Sequence, residues 1–268
     1  ATNVMGTVHL LDALRQLDQH YHATHRICAT VLITTDKCYE NREWLHAYRE
    51  NDPLGGYDPY SSSKGAAELA IAACRCSYFN PAQASDPPRI GIASARAGNV
   101  IGGGDWAPDR IVPDCIRHLQ RAAPIPVRHP HATRPWQHVL EPLGGYLQLA
   151  AHQRQALEAQ DPTALHRTCT AYNFGPALNS NQPVRALVGE ILKHWPGRWE
   201  DQSDPNALHE AGRLNLAWDA AFHQLGWQPR WSFNETIQRT IAWYRGTDEQ
   251  PAAALKLTQA DIQAYAGK

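Results

Sequence analysis

Methionine is almost absent from this sequence, and neither sign of charge prevails. Lys and Arg total 25 against 26 Asp and Glu, a formal net charge of -1. That balance leaves no electrostatic footprint for nucleic acid or for an anionic membrane surface. No stretch approaches the roughly 18 apolar residues that a spanning helix needs. No basic segment with an apolar core opens the chain, so neither a membrane partner nor a secretory leader is expected. Six cysteines are present (Cys28, Cys38, Cys74, Cys76, Cys115 and Cys169), but none in C-x-x-C spacing. That argues against a zinc site or a disulfide framework and for a reducing cytoplasm; no metal is expected. The single methionine, Met5, falls inside a predicted helix of a chain that starts at Ala1. The expectation is a processed start or a piece of a longer protein.

What is present is an ordinary globular composition, 43% hydrophobic and 19% charged over 268 residues. This is enough chain for one large domain or two small ones. Val4, Val8, Leu11 and Leu14, spaced by three and four, predict a helix capped by Thr2 or Asn3. Residues 29–34 are short, apolar and β-branched, as a buried parallel strand is, and residues 90–95 read likewise. Between them, 51–59 is a loop and 60–79 an Ala-rich helix. Further helices are expected over 110–121, 139–159 (weakened by Gly144-Gly145), 183–194, 218–225 and 234–244, with strands at 125–127 and 171–174. The alternation predicts an α/β fold, a Rossmann-like doubly wound parallel sheet. The tryptophan-rich texture after position 195 predicts a smaller C-terminal α+β region. The division is placed at 1–175 and 176–268.

Three segments can carry chemistry. Tyr60 and Lys64 lie one turn apart on one helix face. A phenol ionises near about pH 10 and is a poor base at neutrality, and a neighbouring cation stabilises its phenolate. The same spacing also suits an ordinary surface helix. Thr35-Asp36-Lys37 ends the first strand, where open α/β sheets border their ligand crevice. There a hydroxyl, a carboxylate and an ammonium form a compact acid–base set. The plainer reading is a polar strand end with an Asp36–Lys37 contact. Arg134, just before a helix, offers a fork suited to a diphosphate, or a simple pairing with Glu141. The glycines at 102–104 permit close backbone approach to a ligand. They are not read as a dinucleotide fingerprint, because Pro108 interrupts the junction and no ribose-binding acid follows at the proper distance.

Taken in order, these segments resemble the extended short-chain dehydrogenase/reductases that act on nucleotide sugars. The carrying residues are 2–7, 35–41, 55–64, 96–106, 134–142, 172–176 and Leu208-His209-Glu210-Ala211. The resemblance is strongest to the 4,6-dehydratase branch that acts on CDP-glucose. The dTDP-glucose branch has Thr-Asp-Glu at the strand end, where this sequence has Lys37. The resemblance implies a redox-neutral dehydration with NAD as cofactor, serving deoxysugar supply for surface polysaccharide. Tyr60 takes the proton from the sugar O4, Thr35 hydrogen-bonds that oxygen, Lys37 is the base at C5, and Asp36 is the acid at the C6 hydroxyl. Lys64 joins Tyr60 at the nicotinamide ribose, and Asn99 and Arg134 grip the diphosphate. Partners implied are the nucleotide-sugar substrate and a second copy in a homodimer or higher homo-oligomer, with the Tyr60–Phe79 helix at its interface.

Intact members of that family open with a strand, a G-x-x-G-x-x-G turn and a helix that holds the pyrophosphate. This sequence has no such turn and begins at the helix that would follow the fourth strand. The expectation is therefore a fragment without the adenosine half of its NAD site, poor in NAD binding and in solubility because an apolar sheet edge is left unpaired. The alternatives are a related dehydratase or epimerase for another base (dTDP-, UDP- or GDP-sugar), or a non-catalytic sugar-nucleotide-binding protein. Residues 251–268 are a candidate docking helix.

Overall fold

The computed structural model describes residues 2–83, 86, 88–204 and 213–267. The segment 208–211, which carries part of the family resemblance, lies outside the described residues. In chain order the first half holds α1 (Thr2–Thr24), β1 (Cys28–Ile33), α2 (Pro59–Tyr78), β2 (Ile90–Ala97), β3 (Val100–Ile101), α3 (Ile111–Gln120), β4 (Ile125–Val127), β5 (Thr133–Pro135) and β6 (Gln137–His138). There follow α4 (Leu140–Glu158), α5 (Pro162–Thr168), β7 (Ala171–Phe174), β8 (Asn181–Pro183), α6 (Val184–His194), β9 (Trp199–Asp201), α7 (Asp219–Leu225), α8 (Phe233–Glu249) and α9 (Ala254–Ala266). Two compact units share this chain. One takes residues 1–98, 142–174 and 216–228, the other 99–141, 175–215 and 229–268. The sequence reading places the main boundary at 175, with substrate-binding segments interleaved in the first part; the two units alternate along the chain.

The first unit is a parallel sheet in the order β1-β2-β7, with Leu32 opposite Ser94 and Arg96 opposite Asn173. Every residue of β2 is buried, as a central parallel strand requires. The two-residue period of a strand sends alternate side chains to opposite faces. Ile90 and Ile92 pack with Leu32, with Leu11 and Leu14 of α1 and with Ile71 of α2, while Ala93 and Ala95 pack with Leu149, Tyr172, Phe174 and Trp227. Helices thus cover both faces. The glycine pair that weakens α4 has a packing reason: a Cβ on Gly145 would stand 2.3 Å from the Phe174 ring. β1 departs from the expected burial. Only Leu32 is buried, and Ile33 is 55% exposed. Among the described strands β1 pairs with β2 alone, which leaves unpaired the apolar edge that the sequence reading expects.

In the second unit three two-stranded pairs, parallel β3–β6 and β4–β9 and antiparallel β5–β8, accompany α3, α6, α8 and α9. Val112, Ile116, Ile125, Leu187, Ile191, Ile237 and Ile241 form its core. Gly103 and Gly104 are exposed, and at Gly102 and Gly103 the space a side chain would need is taken by neighbouring side chains. A Cβ on Gly103 would lie 2.1 Å from the Trp243 indole, and one on Gly102 2.8 Å from Val139. The close approach they permit is made by the protein's own side chains. Residues 251–268, read as a docking helix, pack as α9 on α8 within this unit: Trp243 Nε1 donates to Thr258 (3.0 Å), and Arg239 pairs with Asp261 (3.2 Å). No helix among the described residues is long and apolar enough to cross a membrane.

Candidate active site

The site begins at the two ends that meet at the top of the first unit's sheet. Asp58 caps α2 by accepting from the backbone N–H groups of Tyr60 and Ser61, both at 2.9 Å, with Pro59 in the first turn. Such a cap fixes where the helix starts, and hence where Tyr60 and Lys64 point. The Asp58 carboxyl is held below its usual range by the side chain and backbone N–H of Ser61, with further help from the Lys37 ammonium. On the strand side the chain leaves β1 in a single tight turn, Asp36–Cys38. Thr35 caps it by accepting from the Lys37 N–H at 3.3 Å.

The turn brings the sequence-predicted groups together. Lys37 Nζ stands 5.9 Å from the centre of the Tyr60 ring, and Lys64 Nζ stands 6.0 Å from it. An ammonium at this distance interacts favourably with the ring face. Tyr60 is 48% exposed, which leaves its phenol open to a ligand. Thr35 Oγ1 donates to Asp36 Oδ1 at 2.9 Å, and Asp36 is buried. Beside it, burial and then the Asp36 charge push the Tyr146 phenol up. Lys37 is exposed in this structure. Asn99 and Arg134 belong to the second unit. The Asn99 carbonyl accepts from the Gln137 N–H at 3.4 Å. Arg134 lies not in a pre-helical loop but in β5, opposite Gln182, with Nη1 donating to the Thr133 carbonyl at 3.0 Å. Glu141, the alternative partner considered for Arg134, accepts from the backbone N–H groups of Arg230 and Trp231 and from the Tyr265 hydroxyl.

Beneath these groups is a buried polar network. Arg96 Nη2 reaches Glu68 Oε2 at 2.7 Å; Nη1 reaches the Tyr39 hydroxyl at 2.7 Å and the Glu50 carbonyl at 2.9 Å. Tyr39 donates to Asn173 Oδ1 at 2.8 Å, and the Asn173 N–H donates to the Glu50 carboxylate at 2.9 Å. Glu68 also accepts from the hydroxyls of Thr34 and Ser94. Burial alone would raise the Glu68 carboxyl, but the Arg96 hydrogen bond and charge, with those two hydroxyls, hold it low. Sequence reasoning passed over Glu68, although a signal existed: it is a carboxylate on the Ala-rich face of α2, four residues beyond Lys64.

The parallel sheet covered by helices on both faces, with Tyr60 and Lys64 on a helix packed beside its strand end, defines a Rossmann-like α/β fold. The dTDP-glucose 4,6-dehydratase DesIV of Streptomyces venezuelae, solved with NAD and TYD bound, superposes with a TM-score of 0.70 at 22% identity, covering 93% of this chain and 68% of that one. The family model described as GDP-mannose 4,6 dehydratase matches residues 1–240, and the chain belongs to that family. It is 46% identical over 254 residues to a CDP-glucose 4,6-dehydratase of Salmonella typhimurium, covering 92% of this chain and 66% of that protein. A dTDP-glucose 4,6-dehydratase of Streptomyces antibioticus is 28% identical, with 91% and 63% covered. The chain thus spans just under two thirds of the length of these relatives.

Proposed function

We propose that this chain supplies the catalytic groups of an NAD-dependent 4,6-dehydration that converts CDP-glucose to CDP-4-dehydro-6-deoxyglucose. The observation that supports the reading is that the Lys37 and Lys64 ammonium groups stand 5.9 Å and 6.0 Å from the centre of the Tyr60 ring, with the bonded pair Thr35 and Asp36 directly before Lys37 in the chain. Identity to the Salmonella typhimurium protein favours the cytidine nucleotide. Tyr60 and Lys64 fit the nicotinamide–ribose end of NAD, because the phenol is half exposed and the ammonium is one helical turn away. When bound there, NAD would supply the hydride exchange of the reaction, out from C4 and back to C6.

The chain's own residues then handle protons. Tyr60, with Lys64 and Lys37 beside it, receives the O4 proton. Thr35 gives its one proton to Asp36 in this structure. A protonated Asp36 reverses that bond and frees the Thr35 hydroxyl to donate to O4. Asp36 then gives that proton to the departing C6 hydroxyl, which leaves as water. Lys37, neutral once the bound sugar has desolvated it and its ammonium proton has passed to solvent, takes the C5 proton and later returns it to C5. The proton that Tyr60 took from O4 replaces the one Asp36 gave up, so atoms and charge balance over the cycle. Asn99 and Arg134 hold the diphosphate, Arg134 by its planar fork. A homo-oligomer is part of the same reading, with Leu69 and Tyr78 as exposed apolar groups of α2 for the interface to cover.

The test is product mass after incubation of the encoded protein with NAD and, separately, CDP-, dTDP-, UDP- and GDP-glucose. Loss of one water from CDP-glucose alone is expected. Preference for another base would move the substrate assignment, and no water loss from any of the four would overturn the dehydratase. For the base, Lys37→Ala is expected to keep C4 oxidation and lose C5 hydrogen exchange; undiminished exchange would remove Lys37 from that role.

A further inference from the structure

A carboxylate and a guanidinium in the middle of an apolar helix–sheet contact need a reason. Glu68 sits on α2 with Ala67 and Ile71, all buried, against the buried strand β2. Burying a charge pair costs desolvation that its mutual attraction often only just repays, and well-packed apolar side chains in its place are frequently as stable or more so. Stability alone is therefore a weak explanation for the Glu68–Arg96 pair. Geometry offers a better one. Apolar packing is non-directional, so the contact of α2 with Leu32, Ile90 and Ile92 would tolerate a small slide or roll of the helix. A carboxylate that accepts from three donors on two neighbouring strands would not. Those donors are Thr34 just past β1 and Ser94 and Arg96 on β2. Ser94 and Arg96 share the α2 face because strand side chains alternate, and the Thr34 N–H is tied to β2 through the Ala95 carbonyl at 2.8 Å.

Along α2, Tyr60, Lys64 and Glu68 follow at intervals of four, so all three fall on one side of the helix. At the other end of the link, Thr34 directly precedes Thr35. We propose that Glu68 is the positioning residue of this site: by binding Thr34, Ser94 and Arg96 it fixes α2 lengthwise against the ends of β1 and β2, and so sets the Tyr60 phenol against Thr35, Asp36 and Lys37. The inference rests on the dehydratase reading for its kinetic consequence, but not for its geometric one. A misplacement of 1 Å at a reacting group costs about 100-fold in rate, so even a partial slip is measurable.

The experiment uses Glu68→Gln and, as the milder change, Thr34→Val, which keeps the shape of the side chain and removes one donor. Both are assayed on CDP-glucose and solved crystallographically. A fall in kcat of about tenfold or more with KM unchanged is expected, together with a displaced acid limb of the kcat–pH profile. A purely structural role would lower the melting temperature and leave the pH profile alone. The crystals read the slip directly. Lys64 travels with Tyr60 on α2, so its 6.0 Å distance to the ring stays; Lys37 hangs on β1, so its 5.9 Å distance changes. If Glu68→Gln does not fold, Thr34→Val decides. Parental kcat, pH profile and Lys37–Tyr60 distance in a folded variant would overturn the proposal. If the unsubstituted protein turns over no nucleotide sugar, the dehydratase reading fails, and the crystal distances still decide the positioning: an unchanged Lys37–Tyr60 distance rejects it and a changed one supports it.

Discussion

Each unit buries a glutamate almost completely, and the two respond in opposite directions. Glu68, 2% exposed, binds a guanidinium and two hydroxyls; Glu141, 1% exposed, binds two backbone N–H groups and the Tyr265 hydroxyl. Burial raises both carboxyls. At Glu68 the Arg96 hydrogen bond and charge overcome it, so the net shift is downward. At Glu141 the Trp231 and Arg230 N–H groups, the Tyr265 hydroxyl and the Arg230 charge do not, and the net shift is upward. A full cation held directly against the carboxylate offsets desolvation; neutral donors with a cation further off leave part of it uncompensated. The stronger arrangement lies under the candidate site, where orientation matters. The weaker one joins the start of α4 to the stretch before α8 and to the end of α9.

The largest break in this contrast is Glu68→Ala, which strands the Arg96 guanidinium in the core. A loss of about 3–5 kcal/mol is expected, measured by chemical denaturation. Next is His138, buried on β6 against Trp231 with a ring separation of 4.7 Å. Burial, and then the Arg239 charge, lower its imidazole from 6.5 to about 4. A depressed folded value means that the unfolded chain binds the extra proton first. Stability is therefore full above 6.5 and is lost as the pH falls towards 4, by about 3 kcal/mol. Replacing His138 with Phe should remove that part of the pH dependence; an unchanged acid slope would mean that the ring is solvated.

Glu141→Gln removes the charge that the Arg230 and Trp231 N–H groups and the Tyr265 hydroxyl bind, and about 1–3 kcal/mol is expected. The pH curves sharpen the comparison further. Glu68 stabilises above its unfolded value of 4.5, and that support is lost as the pH falls through its lower folded value. Glu141 does the reverse: its support is full below 4.5 and is lost as the pH rises through its higher folded value. Melting temperatures of Glu68→Gln should therefore converge on the parent in acid, and those of Glu141→Gln should fall more steeply than the parent on acidification. Curves that run parallel would erase the distinction. The smallest effect is Asp58→Ala, which removes the α2 cap at a cost of about 1 kcal/mol, readable as a small shift in the denaturation midpoint.

Much of the fold was legible in advance because its signals are local. The β-branched run before Thr34, the apolar run from Ile90, the Ala-rich helix from Tyr60 and the three-and-four spacing of Leu11 and Leu14 all became the elements they predict. Periodicity decides whether a segment is strand or helix within a dozen residues. It does not decide which residues of a strand are covered: in β1 Leu32 is buried and the neighbouring Ile33 is exposed. Nor does it reveal what a glycine lies against: the space a side chain at Gly103 would need is filled by Trp243, a residue 140 positions away in sequence.

The site divides in the same way. Tyr60 and Lys64 share a helix face, and four residues of α-helix are enough to bring them together, so the sequence by itself determined that pair. It also determined that Thr35, Asp36 and Lys37 stand where a parallel strand ends. Only the tertiary structure decided that Lys37, in the turn after β1, stands 5.9 Å from the centre of the Tyr60 ring, that Thr35 bonds Asp36, and that Glu68 on α2 is answered by Arg96 on β2. These depend on which strand lies beside which helix and at what register. That arrangement is set by the sum of many non-directional apolar contacts over the whole unit, together with a few directional bonds such as those of Glu68, and no window of sequence contains both sides of such a contact.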